Sequence, residues 1–269
     1  MGFFSRQYKD GPGVEKDAPR KKGIARFFEI IGRDLSGLFF ANLLTCVGFL
    51  PMAVCGIMGI FQGSLPLILA GAVVGGMFAG PALSGMYDTV LRALRDEPGY
   101  WWATYRRAFK QNWKASILPG ILYCVIVISQ IYLAVVWFLS YSGGTASTPL
   151  LIATVLNLVL FHMLFAYMWP QIVLLDQPLL LTLKNSLSCM LAFFPRALAA
   201  SLVSILFGGV LISALPTSLY LAPIFGFWLP CLISCQIIYN DIDRVFHIEE
   251  NIRKLHEAQW AEAAEAKED

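Results

Sequence analysis

Leu65–Tyr87 reads LPLILAGAVVGGMFAGPALSGMY, an uncharged stretch in which Gly71, Gly75, Gly76 and Gly80 fall four residues apart in two pairs before Pro81. Gly71 and Gly75 share one helix face with Ala79, while Gly76 and Gly80 share a neighbouring face with Ser84. Small residues at this spacing leave a groove where a second helix backbone approaches closely, the way helices pack in lipid. In water each glycine would cost a helix about 1 kcal/mol. Inside a bilayer an unsatisfied backbone costs more, so helix and glycine coexist there. The stretch is expected to be a membrane-spanning packing helix.

The rest of the chain supports that reading. Hydrophobic residues make up 57% of the 269 and charged residues only 14%, a balance far from the soluble average. No charged side chain occurs from Leu35 to Tyr87, from Ala115 to Leu175, or from Ala197 to Asn240. Each run is long enough for two spans of ~20 residues. An all-α polytopic membrane protein follows, with six transmembrane helices near 37–61, 65–87, 115–140, 149–175, 197–213 and 219–239. Residues 1–23 are expected to be a disordered cytoplasmic arm, 24–245 the membrane domain, and 246–269 a helical tail.

Charge placement gives the orientation. All 20 Lys/Arg and all 18 Asp/Glu lie in segments 1–34, 88–114, 176–196 and after 240. The other three connections carry none, so the positive-inside rule puts both termini and both charged loops in the cytoplasm. In Arg92–Lys114, Trp101, Tyr105, Phe109 and Trp113 recur every four residues, with Arg106, Arg107, Lys110 and Lys114 on the adjoining arc. That pattern predicts an amphipathic helix in the membrane plane, either fixing helix tilt or offering a docking surface on the cytoplasmic face. A net charge of +2 and membrane flanks argue against nucleic acid. Segment 176–196, with Lys184, is read as a second in-plane helix, the two forming a weak parallel repeat. In the tail, Val245, Ile248, Ile252 and Leu255 stand at a/d spacing.

Few side chains suggest chemistry. The six cysteines show no C-x-x-C and no zinc spacing, so no metal site is expected. Phosphate-binding, zinc-protease and nucleophile-elbow motifs are all missing, so neither an enzymatic role nor a cofactor is expected. His162 is the one intramembrane ionisable candidate, read as a neutral imidazole bonded to a neighbour such as Gln130, or as a proton or ligand group. Asp88, Asp176, Asp241 and Asp243 each stand where a span ends. A helix dipole opposes an acid there, so the expectation is either that these pair with cations such as Arg92, Arg106 or Lys184, or that each helix continues past its acid, which then sits in water.

Several stretches resemble the YesL-like family, bacterial membrane proteins whose conserved domain is of unknown function. They are Phe27–Arg33 (FFEIIGR), Gly80-Pro81-Ala82, Arg106–Asn112 (RRAFKQN) and Leu183–Ser186 (LKNS), spread over about 25–245. The resemblance implies a Gram-positive plasma-membrane protein whose genes sit beside carbohydrate ABC importers and sensor kinases. It carries over no catalytic residue. The expectation is a non-enzymatic accessory or regulatory protein whose partners are the bilayer and an ABC permease or sensor kinase, with self-association left open. The alternative is a small-solute transporter or channel.

Overall fold

Four helices carry the packing of the N-terminal half: α1 (Gly23–Gln62), α2 (Leu65–Arg95), α3 (Trp101–Ser142) and α4 (Thr148–Leu174). They are followed by α5 (Leu179–Ala192), α6 (Phe194–Ser213), α7 (Ser218–Phe225), α8 (Trp228–Phe246) and α9 (Ile248–Glu265). The computed structural model describes residues 20–97, 99–145, 147–214 and 217–265, and among these there is no strand. The basic arm before residue 20 and the last four residues lie outside the described residues. Five helices, α1, α2, α3, α4 and α6, are long and apolar enough to cross a membrane. Their outward faces carry exposed Val47, Leu50, Val54, Phe78, Leu122, Leu156 and Leu206, the surface of a membrane protein rather than one facing water.

The second helix is the most enclosed of the five, wedged between α1 and α3. A Cβ at Gly75 would meet Met52 of α1 at 2.6–3.0 Å, and one at Gly71 would collide with Cys55. On the other side, a Cβ at Gly76 would strike the backbone of Ile121, and one at Gly80 would strike the Ser116 carbonyl and come within 3.2 Å of Gly120 Cα. The two glycine pairs thus face two different helices, so α1 and α3 both approach α2 at backbone distance. Pro81, buried, follows within the same helix. A second group is built from α4, α5, α6, α8 and the start of α9 around Met163, Tyr167, Ile238 and Ile242.

Three expectations need correction. Residues 101–114 do not form a separate helix: nothing breaks the chain before Pro119, and they are the first turns of the 42-residue α3. At ~1.5 Å per residue that helix is about 63 Å long, more than a bilayer with its headgroups. The expected sixth span is divided into α7 and α8 around Gly226 and Phe227. The a/d row of the tail is not one helix face: His247 adopts φ +51 and puts Val245 on α8 and the other three on α9, with Val245 and Leu255 exposed while Ile248 is buried.

Candidate functional site

The break between α7 and α8 is held open by one side chain. Pro230 has no N–H, so the helical ladder lacks a donor at the start of α8. Asn42, buried in α1, enters the gap. Its Nδ2 donates to the carbonyls of Ala222 (3.0 Å) and Pro223 (2.7 Å), and its Oδ1 accepts from the backbone N–H of Phe227 (2.7 Å) and Trp228 (3.3 Å). The amide therefore replaces the Pro223-to-Phe227 rung of a continuous helix. Sequence reasoning passed over Asn42, although an amide in an uncharged span is costly enough to mark a role.

Beside this break lies a cavity of about 810 Å³ between the α1–α2–α3 group and the α4–α6–α8 group. Its wall is apolar, with Phe49, Tyr87, Tyr123, Trp169 and Phe227 among its aromatic members and Gly208 and Gly209 on α6. His162, Gln130 and Ser204 are among its few polar groups, and among the described residues no Asp, Glu, Lys or Arg lines it. His162 does not meet Gln130: its Nδ1 lies 2.9 Å from the Leu158 carbonyl, which can only accept. Gln130 instead donates from Nε2 to Asn157 Oδ1 (2.9 Å), and its buried Oε1 has no protein partner. Among the described residues no group of His, Cys, Asp and Glu is arranged to hold a metal.

The charged end of the bundle holds a second arrangement. The carbonyls at the C-terminus of α2 lack helical donors, and three arginines take three successive ones. Arg33 donates to Ala93 O (2.7 Å), Arg26 to Leu94 O (2.7 Å) and Arg20 to Arg95 O (2.8 Å). Asp96, in the left-handed region at φ +59, bonds all three guanidinium groups, at 2.7 Å from Arg26 and 3.0 Å from Arg20. Arg20 reaches on to Glu249 of α9 (2.6 Å), which also accepts from Tyr239 (2.8 Å). Burial alone would raise the Asp96 carboxyl, but the Arg26 and Arg33 hydrogen bonds and charges hold it below the usual range. The same contest holds at Glu249, where Arg20 and Tyr239 outweigh burial and lower the carboxyl. Arg26 and Arg33 stand seven residues apart on one helix face, the available signal for this cap.

The four span-ending acids meet different fates. Asp88 pairs with Arg92 at 2.9 Å inside α2, which continues past both. Asp241, 1% exposed, pairs with Arg196 and accepts from Tyr167 OH at 3.1 Å. Asp243 accepts from Glu249 N (2.8 Å) in the first turn of α9. Asp176 is exposed in the α4–α5 connection. Neither Arg106 nor Lys184 serves any of them.

The expected aromatic row of α3 also faces elsewhere. Trp101 stacks on Phe40 of α1 (5.3 Å, 9°), and Tyr105 is buried against Gly85, its hydroxyl 3.4 Å from Ala82 O. Close packing in the α1–α2 groove thus draws these rings inward rather than to a headgroup layer. Phe109 is half-buried, whereas Arg106, Arg107, Lys110 and Lys114 are exposed and, among the described residues, form no ion pair. Lys184 is likewise exposed on α5, beside an apolar face of Leu180, Leu183, Leu187 and Leu191.

A family model described as a protein of unknown function, DUF624, matches residues 38–141. This is the YesL family, in agreement with the resemblance drawn from the residues. The match runs from α1 to the end of α3, so Gly80–Ala82 and Arg106–Asn112 fall inside it, and Phe27–Arg33 and Leu183–Ser186 outside. No curated protein and no solved structure matches the chain.

Proposed function

From the match of residues 38–141 to the DUF624 family model and the charge arrangement on α3, we propose that this chain is a non-enzymatic accessory or regulatory membrane protein. It works beside a carbohydrate ABC permease or a sensor kinase in the plasma membrane. One observation carries the reading. Arg20, Arg26, Arg33, Arg92, Arg95 and Arg196 are each engaged by acids of the chain itself, whereas Arg106, Arg107, Lys110 and Lys114, on the first turns of α3, form no ion pair among the described residues. Cations left unpaired on a rigid, protruding helix suit an acidic surface of a partner. In this reading the broken α7–α8 pair makes the sixth crossing, both termini are cytoplasmic, and α5 lies in the membrane plane on its leucine face.

A second reading, a small-solute transporter or channel, is favoured by the broken helix beside a cavity, since discontinuous helices mark many transport sites. Its apolar wall fits sugars poorly, because each buried hydroxyl needs a partner. Two measurements separate the readings. Affinity purification from native membranes should recover permease or kinase subunits, and vesicles holding the purified chain alone should stay impermeable to sugars and ions. Solute flux through such vesicles, with no partner recovered, would favour the transporter.

A further inference from the structure

We propose that the cavity between the two helix groups is a binding site for an uncharged lipid carrying a free hydroxyl, the class of diacylglycerols and long-chain alcohols. The wall decides the body of the ligand. About 810 Å³ of space is lined mostly by aliphatic and aromatic side chains, with no charged group among the described residues to hold a phosphate or an ammonium. Exposed Phe138, Leu139 and Ile212 among its lining residues mark a mouth at the uncharged end of α3 and α6, open to the surrounding bilayer.

The polar groups decide the rest. Gln130 is 6% exposed, and its Nε2 donates to Asn157 Oδ1. Its Oε1 is left buried and without a partner on the cavity wall. With His162 Nδ1 engaged by Leu158 O, the neutral ring of this second lining residue leaves Nε2 as an acceptor. A wall that offers acceptors selects a ligand that brings a donor. A hydrocarbon tail alone would leave Gln130 Oε1 unsatisfied, and a sugar would bring more hydroxyls than these groups can pair. One hydroxyl on an apolar body matches both.

The test compares 1,2-dioctanoylglycerol with its 3-O-methyl ether, which keeps the body and the oxygen but loses the donor. Native mass spectrometry of the full chain in detergent reads how much of each is retained. The free hydroxyl should be preferred about tenfold. Gln130→Leu should remove that preference while still retaining both compounds. Gly209→Phe grows from a glycine whose added Cβ would meet nothing within 4 Å. It should narrow the cavity and lower binding of both. Equal retention of the two compounds by the unmodified chain would mean that water already satisfies Gln130 or that the cavity takes any acyl chain, and would overturn the proposal without recourse to a variant. So would retention of neither, a preference that survives Gln130→Leu in a folded variant, or binding unchanged by Gly209→Phe.

Discussion

Asn42 is the residue on which most of the polar economy of the membrane interior turns. Its amide serves two carbonyls and two backbone N–H groups, and of the carbonyls Ala222 O also accepts from Gly226 N at 2.8 Å. Asn42→Leu would leave Pro223 O and Phe227 N buried and unpaired, at about 1–3 kcal/mol each. A marked fall in melting temperature in detergent is expected, with Asn42→Ala no better, because the missing group is the amide and not its volume. The glycines supply a paired contrast. At Gly80 an added Cβ would strike the Ser116 carbonyl, whereas at Gly208 it would meet nothing within 4 Å. Gly80→Ala should therefore lower the melting temperature by forcing α2 and α3 apart. Gly208→Ala should hold or raise it, by up to ~1 kcal/mol from helix propensity. Equal effects at the two sites would remove the distinction drawn between a helix contact and an open wall.

Among the elements, the cap on α2 makes a pH-dependent prediction. Asp96 and Glu249 are held below their ordinary carboxylate values by the arginines around them. The folded state therefore gives up protons that the unfolded chain still binds near pH 4, and the stabilisation is full above that range. It is lost as the pH falls through the lowered folded values. Melting curves of the intact chain should show an acid-side loss of stability that is reduced in Asp96→Asn, which begins without that contribution. How far such elements were legible in the sequence depended on whether the signal was local. The uncharged runs and the glycine ladder of α2 reveal themselves within a few turns, because lipid punishes charge and close packing demands small side chains. The cap does not, because Arg20, Asp96 and Glu249 are brought together only by folding over more than two hundred residues. The break at Gly226 was hidden for a similar reason. Pro223 and Pro230 hint at it, but prolines are tolerated in spans, and the amide that stabilises the open rung comes from α1. The row from Trp101 to Trp113 has the period of an interfacial helix, and that period cannot say whether rings face headgroups or a neighbouring helix.

At the scale of the whole molecule, the charged ends of the helices gather at one end of the bundle, and the arginines at the ends of α1, α2 and α6 are paired internally. Ion pairs tie α1 to the end of α2, α2 to α9 through Arg20, and α6 to α8 through Arg196 and Asp241. Among the described residues the largest group of cations left without an ion pair is the start of α3, Arg106, Arg107, Lys110 and Lys114, on the same unbroken helix that makes the α2–α3 glycine contact. The most direct measurement is recovery of permease or kinase subunits from native membranes by the tagged chain, compared with its triple variant Arg106→Ala, Arg107→Ala, Lys110→Ala. Since none of the three side chains is paired or buried, membrane insertion and melting temperature should match the unmodified chain. The account predicts that partner recovery falls several-fold while changes in the uncharged connection at Tyr141–Thr148 leave it intact. Undiminished recovery by an inserted, fully folded triple variant would contradict it.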